Sequence, residues 1–199
     1  MSAHLASPDP AGAAAFLILA MSAAGVAQVL WLRSPLATRF SQPVDLGLTL
    51  RGRRLFGDNK RLRGFMVLPV AAALSFALLG SVREALPGWL ALGMWTLEPG
   101  HYAGLGFVAG LAFMLAELPN SFLKRQMGID PGGQPRGPWL RAVFFAADRV
   151  DSLLGMLIAV SLLVPLPAAT WMWMLLVAPA VHALFSSLLY ASGVKARAL

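Results

Sequence analysis

The chain has 199 residues, 58% of them hydrophobic and only 13% charged, with a mean hydropathy of +0.69. A soluble domain of that length needs a larger polar surface, and the alternating segments of about ten residues that mark a membrane β-barrel are absent. The lack of cysteine excludes disulfides, thiolate metal sites and a cysteine nucleophile, while the formal charge of +7 leaves nucleic acid and membrane topology to be separated by where the basic residues lie.

Five apolar segments, at about 12–32, 65–82, 102–118, 140–164 and 170–192, predict an all-α, polytopic integral membrane protein built as one domain over 1–199. Each is close to the roughly 20 residues a helix needs to cross about 30 Å of hydrocarbon. The first is not read as a signal peptide, because its leader lacks Lys and Arg and carries Asp9. Between the first two spans lies a long loop, 33–64, with eight basic residues, including the run RGRRLFGDNKRLRGF. Gly57 and Gly64 bracket Asp58, Lys60, Arg61 and Arg63 there, a composition suited to phosphate binding through backbone N–H groups and point charges. The bland alternative is positive charge flanking a span.

The piece PGWLALGMWTLEPGH, 87–101, is too short to span and predicts a shallow segment at the outer face. Trp89, Trp95, Trp171 and Trp173 fall at outer ends, where a tryptophan ring is buried and its N–H stays wet. Within the third span, Gly106 and Gly110 form GxxxG, which predicts close helix packing and would also serve a homodimer contact. That span ends LAELPNSFLKRQMGID; Pro119 predicts a break after Glu117, with Asn120 or Ser121 capping a new short helix whose free N–H groups favour anions. The loop 119–139 adds Lys124, Arg125, Arg136 and a Gly/Pro-rich stretch.

The fourth span holds Asp148, Arg149 and Asp151 in AADRVDSLLG. A carboxylate near mid-span costs about 2.5–3.5 kcal/mol on insertion scales, so two of them call for a partner or a wet cavity. Asp148 and Asp151 are three apart and share a helix face, with Ser152 and Gly155 near it. A structural Arg–Asp pair would explain one acid; a divalent-metal site explains both, since Mg²⁺ takes one or two carboxylates and completes its shell with phosphates and water. His182, Ser186 and Tyr190 share a face of the fifth span, where a histidine more often satisfies a helix-bundle hydrogen bond.

With five spans, the clusters at 33–63 and 124–141, and Lys195 and Arg197 in the tail, share one side. The positive-inside rule makes that side cytoplasmic, giving N-terminus out, C-terminus in, and no need for nucleic acid. The polar material, and hence any chemistry, belongs on the cytoplasmic face.

Glu117-Leu118, Asn120-Ser121, Lys124-Arg125 and Asp148-Arg149-x-Asp151, in that order around a Gly/Pro-rich loop, resemble the signature of the CTP:phosphatidate cytidylyltransferases. The short chain and GDNKRLRGF look more like the CDP-archaeol synthase branch. The resemblance covers about 55–156; it departs in having Glu117 where aspartate is usual and no histidine in the loop. It implies transfer of a cytidylyl group from CTP to a membrane lipid phosphate, with Mg²⁺ as cofactor. Asp148 and Asp151 are then expected metal ligands, Glu117 a third, and Lys124 a catalytic cation. Lys60, Arg63, Arg125, Arg149 and Ser121 would bind substrate, and Asp58 would orient Lys60 or meet a second cation. The rival readings are a small ion or solute transporter using the intramembrane Asp pair, and a non-enzymatic scaffold.

Overall fold

The computed structural model describes residues 5–191; His4, Lys195, Arg197 and the side chains of His182, Ser186 and Tyr190 lie outside the described residues. The protein is mostly helical: α1 (Pro10–Leu32), α2 (Leu62–Ser81), a single-turn α3 (Gly88–Ala91), α4 (Pro99–Gln126), α5 (Pro138–Leu163) and α6 (Ala168–Ala191). Proline stands at the first turn of α1, α4 and α5, where its missing N–H costs no intrahelical bond. Asp9 completes the start of α1 by accepting the Gly12 N–H at 2.7 Å.

Among the described residues, α1, α2 and α4 are long and apolar enough to cross a membrane, and α6 is apolar over a shorter stretch, Ala168–Val181. The 26 residues of α5 have the length, but the helix carries Arg141, Asp148, Arg149 and Asp151. At 1.5 Å per residue the 28-residue α4 is about 42 Å long, more than the roughly 30 Å of a hydrocarbon layer.

Two small-residue contacts set the geometry of the site. The GxxxG face of α4 packs against α2 of the same chain: a Cβ on Gly106 would stand 2.4 Å from the Ala72 carbonyl oxygen, and one on Gly110 2.8 Å from Pro69 Cα. The predicted close packing is therefore found, and this face is spent within the protein. On the other side of α4, a Cβ on Gly155 of α5 would meet Ala116 Cβ at 2.3 Å. That approach brings the acidic turn of α5 against the C-terminal part of α4.

The larger buried cluster includes Leu90, Met94 and Trp95 of the 87–101 segment. Phe16, Phe76, Trp95 and Tyr102 are essentially fully buried. Phe16 meets the other three rings edge-on, at centroid distances of 5.1, 6.1 and 5.6 Å. Trp95, expected at the headgroup level with a wet N–H, is instead inside this cluster and donates to the Pro165 carbonyl at 2.8 Å. The tight Gly12–Gly93 contact explains the difference, since it draws the 87–101 segment down onto α1.

Two further expectations are corrected. Helix α4 runs unbroken through Pro119 to Gln126, so no new helix begins at Asn120 and no free N-terminus is exposed. The bond that Pro119 cannot make would fall on Leu115, on the exposed side of α4, where a missing N–H is tolerated. The connecting loop is thus 127–137 rather than 119–139. The 33–64 connection adds a small antiparallel ladder, β1 (Thr49–Leu50) and β2 (Arg53–Arg54), to the otherwise helical fold.

Candidate active site

The first connection is held by one buried carboxylate. Asp45 accepts hydrogen bonds from the N–H groups of Gly47 (3.1 Å), Phe56 (3.0 Å) and Gly57 (3.0 Å), and from Arg54 Nη2 at 2.5 Å. Burial by itself would raise its pKa. The bonds from Arg54 and the three backbone groups outweigh that and hold it well below the ordinary carboxylate range. Asp45 foremost, with Asp58, raises the Arg54 guanidinium against a smaller opposing effect of burial. Arg53 donates to the Gln126 carbonyl, and Gln126 Nε2 returns a bond to the Arg54 carbonyl at 3.3 Å. The connection is thereby stapled to the C-terminal end of α4.

This arrangement corrects two expectations. The Gly57 N–H is occupied by Asp45 and does not cradle phosphate; its φ of +91° accounts for the glycine. Asp58 pairs with Arg54 at 3.0 Å rather than with Lys60. Lys60 forms an ion pair with Glu117.

From Glu117 a continuous chain of polar contacts crosses the α4–α5 seam. Ser152 Oγ lies 3.0 Å from Glu117 Oε1 and 3.2 Å from Asp151 Oδ1. The amide of Asn120 donates to Asp151 Oδ2 at 3.0 Å and to Asp148 Oδ1 at 2.7 Å. Lys124 Nζ closes the series on Asp148, 2.6 Å from Oδ2. Glu117, Asn120, Ser121 and Lys124 recur at three- and four-residue spacing on α4, as do Asp148, Asp151, Ser152 and Gly155 on α5, so each set faces the other. Of the three acids expected together, Asp148 and Asp151 meet on Asn120, and Glu117 connects to them only through Ser152.

Two predicted cations behave differently from each other. Arg149 lies with its guanidinium carbon 3.3 Å from the Phe145 ring centroid and donates to the Phe145 carbonyl at 3.1 Å. Arg125 is only 7% exposed, and its Nε and Nη1 are buried with no hydrogen-bond partner among the described residues. Burial disfavours the charged guanidinium and Asp130 offsets this only by coulombic attraction, so two buried nitrogens left without acceptors are costly unless something anionic arrives.

Arg125 lines a cleft of about 740 Å³ bounded by the Asn59–Lys60 turn, α4, the 132–135 loop and the start of α5. Five cations (Lys60, Lys124, Arg125, Arg141 and Arg149) line it against three carboxylates (Glu117, Asp148 and Asp151), with Ser121 on the same wall. Its field suits a polyanion. A second cavity, about 320 Å³, is walled by Leu17, Ile18, Met21, Leu68, Phe113, Met156 and Met174. The two share Glu117, Asp148 and Arg149. A third hollow, about 490 Å³, opens beside them around Gln28, Lys60, Arg63 and Glu117.

The donor set bears on a metal ion. Asp148 Oδ1 and Asp151 Oδ2 accept from one and the same Asn120 nitrogen, so two hard oxygens already face a single point occupied by a donor. That fits an oxygen-seeking divalent cation. Among the described residues no three His, Cys, Asp or Glu side chains gather closely enough to hold a metal by themselves, and Glu117 stands apart behind Ser152. The pair therefore fits an ion whose remaining ligands are phosphate oxygens and water.

Sequence reasoning missed the bridging role of Asn120, visible only once α4 is known to continue past Pro119. It missed the Asp45 hub, a lone acid with no local pattern, and treated Arg141, which lines the cleft, only as topological charge.

The chain as a whole is similar to known proteins. A family model described as CarS-like, CDP-archaeol synthase, matches residues 33–198. The CDP-archaeol synthase of Halobacterium salinarum (strain ATCC 29341 / DSM 671 / R1) is 32% identical over 162 residues, covering 77% of this chain and 81% of that protein. The CDP-archaeol synthase of Methanoculleus marisnigri is 30% identical over 172 residues, covering 77% and 87%. A solved structure described as an intramembrane enzyme for archaeal membrane lipids biosynthesis superposes with a TM-score of 0.52 at 23% identity, covering 90% of this chain and 93% of that one, which establishes a shared fold.

Proposed function

The chain belongs to the CDP-archaeol synthase (CarS-like) family, and from that premise we propose how its site makes CDP-archaeol from CTP and an archaeol-type lipid phosphate. The observation that carries the assignment is the meeting of a basic polar cleft and an apolar cavity on Glu117 and Asp148. CTP occupies the polar cleft, its triphosphate taken by Arg125, Lys124 and Arg141, with Ser121 donating a further bond. The lipid lies in the apolar cavity with its phosphate beside Lys60 and Arg63.

In the reaction a lipid phosphate oxygen attacks the α-phosphorus of CTP, the bond to the β-phosphate breaks, and pyrophosphate leaves. The nucleophile is already anionic, so no strong general base is required. What the protein supplies is alignment of the two phosphates and compensation of their charge. Asp148 and Asp151 would hold Mg²⁺, with Glu117 at its margin; when bound, the ion neutralises triphosphate oxygens and favours departure of pyrophosphate. Lys124 and Lys60, now paired with Asp148 and Glu117, are the cations that exchange those partners for phosphate as substrates enter. Asn120 fixes the two aspartates relative to each other.

The helices and charge distribution support five spans with the cleft on the cytoplasmic side of the cytoplasmic membrane, N-terminus out. Residues 1–199 act as one catalytic unit. The test supplies purified protein with Mg²⁺, radiolabelled CTP and archaeol-type phosphate. Labelled CDP-lipid with stoichiometric pyrophosphate is expected. CTP hydrolysed without lipid dependence, or no nucleotide turnover at all, would overturn the assignment.

A further inference from the structure

The wall that α1 gives to the apolar cavity contains a glycine that packing does not explain. Six glycines on the long helices, Gly12, Gly64, Gly80, Gly106, Gly110 and Gly155, lie where a Cβ would collide with a neighbour at 3.2 Å or less, as does Gly93 in the segment packed on α1. A Cβ on Gly25 would meet nothing within 4 Å, as would one on Gly104 of α4, but of these two only Gly25 lines a cavity. Glycine in a helix interior is disfavoured against alanine, so open space beside it calls for another reason.

The helical register says where that space lies. Ile18, Met21, Ser22, Gly25, Gln28 and Val29 all line the apolar cavity. They recur at three- and four-residue intervals, which makes one face of α1 with Gly25 near its centre line. Gly25 is one turn from Gln28, which also borders the basic hollow holding Lys60 and Arg63. It therefore stands just beyond the polar mouth, where a lipid's chains leave its headgroup. The cavity, at about 320 Å³, is at the small end of the range of roughly 300–1,000 Å³ for ligand sites, so it takes the headgroup-proximal part of a lipid and little more.

We infer that Gly25 sets the width of the neck through which the lipid passes, and that the missing side chain makes room for a glycerol bearing two chains. The inference rests on the lipid reading above. It makes Gly25 a specificity-determining position for the lipid and not for the nucleotide.

The experiment compares the unchanged protein with Gly25→Ala and Gly25→Leu in nanodiscs, using a dialkylglycerol phosphate with two chains and a monoalkylglycerol phosphate with one. Gly25→Leu is expected to raise KM for the two-chain lipid by at least about tenfold, the scale on which a hydrophobic pocket registers one misplaced methylene. KM for CTP stays unchanged and the one-chain lipid is affected less. Gly25→Ala adds only a methyl and favours the helix, so a smaller shift in the same direction separates occlusion from misfolding. Equal losses with both lipids, or a Gly25→Leu protein that binds and turns over the two-chain lipid normally, would overturn the inference. Direct binding of both lipid phosphates without CTP reads the neck independently of turnover, so an inactive protein would count against the assigned reaction while the binding arm still decides the role of Gly25.

Discussion

Arg125 makes opposite demands on the empty and the loaded protein, and a single substitution separates them. Arg125→Met keeps most of the side chain's volume and removes the guanidinium. In the folded protein Nε and Nη1 are buried without acceptors, and an unsatisfied buried donor costs about 1–3 kcal/mol. Without nucleotide, Arg125→Met should therefore be as stable as the parent or more so, by up to about that amount, in keeping with the general finding that an apolar side chain replaces a buried charge at little loss. With CTP the sign reverses. A hydrogen bond to a charged group is worth about 1.5–3 kcal/mol, so kcat/KM for CTP should fall by roughly 10- to 150-fold. Thermal unfolding with and without saturating CTP reads both effects, because a ligand that binds only the folded state raises Tm in proportion to its affinity. The variant should melt no lower than the parent without CTP and gain less from adding it. A variant that melts lower without CTP, yet keeps the parent's CTP-induced rise, would mean that the guanidinium has a structural partner and takes no part in binding nucleotide.

Asp148→Asn and Asp151→Asn should each abolish CDP-lipid formation, and chelation of divalent cations should do the same to the parent, measured by labelled-CTP incorporation with a folding control. Gly155→Val should wedge α5 away from Ala116, costing about 1–3 kcal/mol by overpacking and a larger share of activity than of melting temperature, because the Asn120 bridge spans that seam. Asp45→Asn should lower the melting temperature at neutral pH. The folded carboxyl lies below its ordinary value of 3.8, so its stabilisation is fully present above that value and fades as pH falls below it. The gap between parent and variant should accordingly narrow in melts taken from pH 7 down to pH 3; a gap that widens on acidification would refute the role given to Asp45.

Helix positions were legible in the sequence because long apolar runs leave the chain few alternatives. The segments expected at 12–32, 65–82 and 140–164 match α1, α2 and α5 within a few residues. Pro119 was misread because the one bond it removes falls on Leu115, on the exposed side of α4, and the other bonds of a 28-residue helix carry it past the gap. The acids on α5 were legible from their spacing and their cost. What spacing could not supply was the partner across the seam: Asn120 looks like a cap beside Pro119 and becomes a bridge only once α4 continues. Asp45 was invisible for a different reason, since its donors are Arg54 and the N–H groups of Gly47, Phe56 and Gly57, and backbone groups leave no trace in composition.

The uneven packing of the bundle bears on the choice between an enzyme and a transporter. A transporter needs a hydrated route that can open to either side, with polar groups along it. Here the end of the bundle remote from the carboxylates is closed by Phe16, Phe76, Trp95 and Tyr102, and its polar atoms are satisfied internally: Tyr102 donates to the Trp95 carbonyl at 2.5 Å and Trp95 to Pro165. Opening that end would break both bonds and separate three edge-on ring contacts at once. All three hollows instead gather around Glu117 at the end where Lys60, Arg63 and Lys124 lie. An active site that joins a charged nucleotide to a membrane lipid needs this asymmetry: one end sealed and rigid to hold the helices in register, the other opening to water for the triphosphate and to an apolar cavity for the lipid.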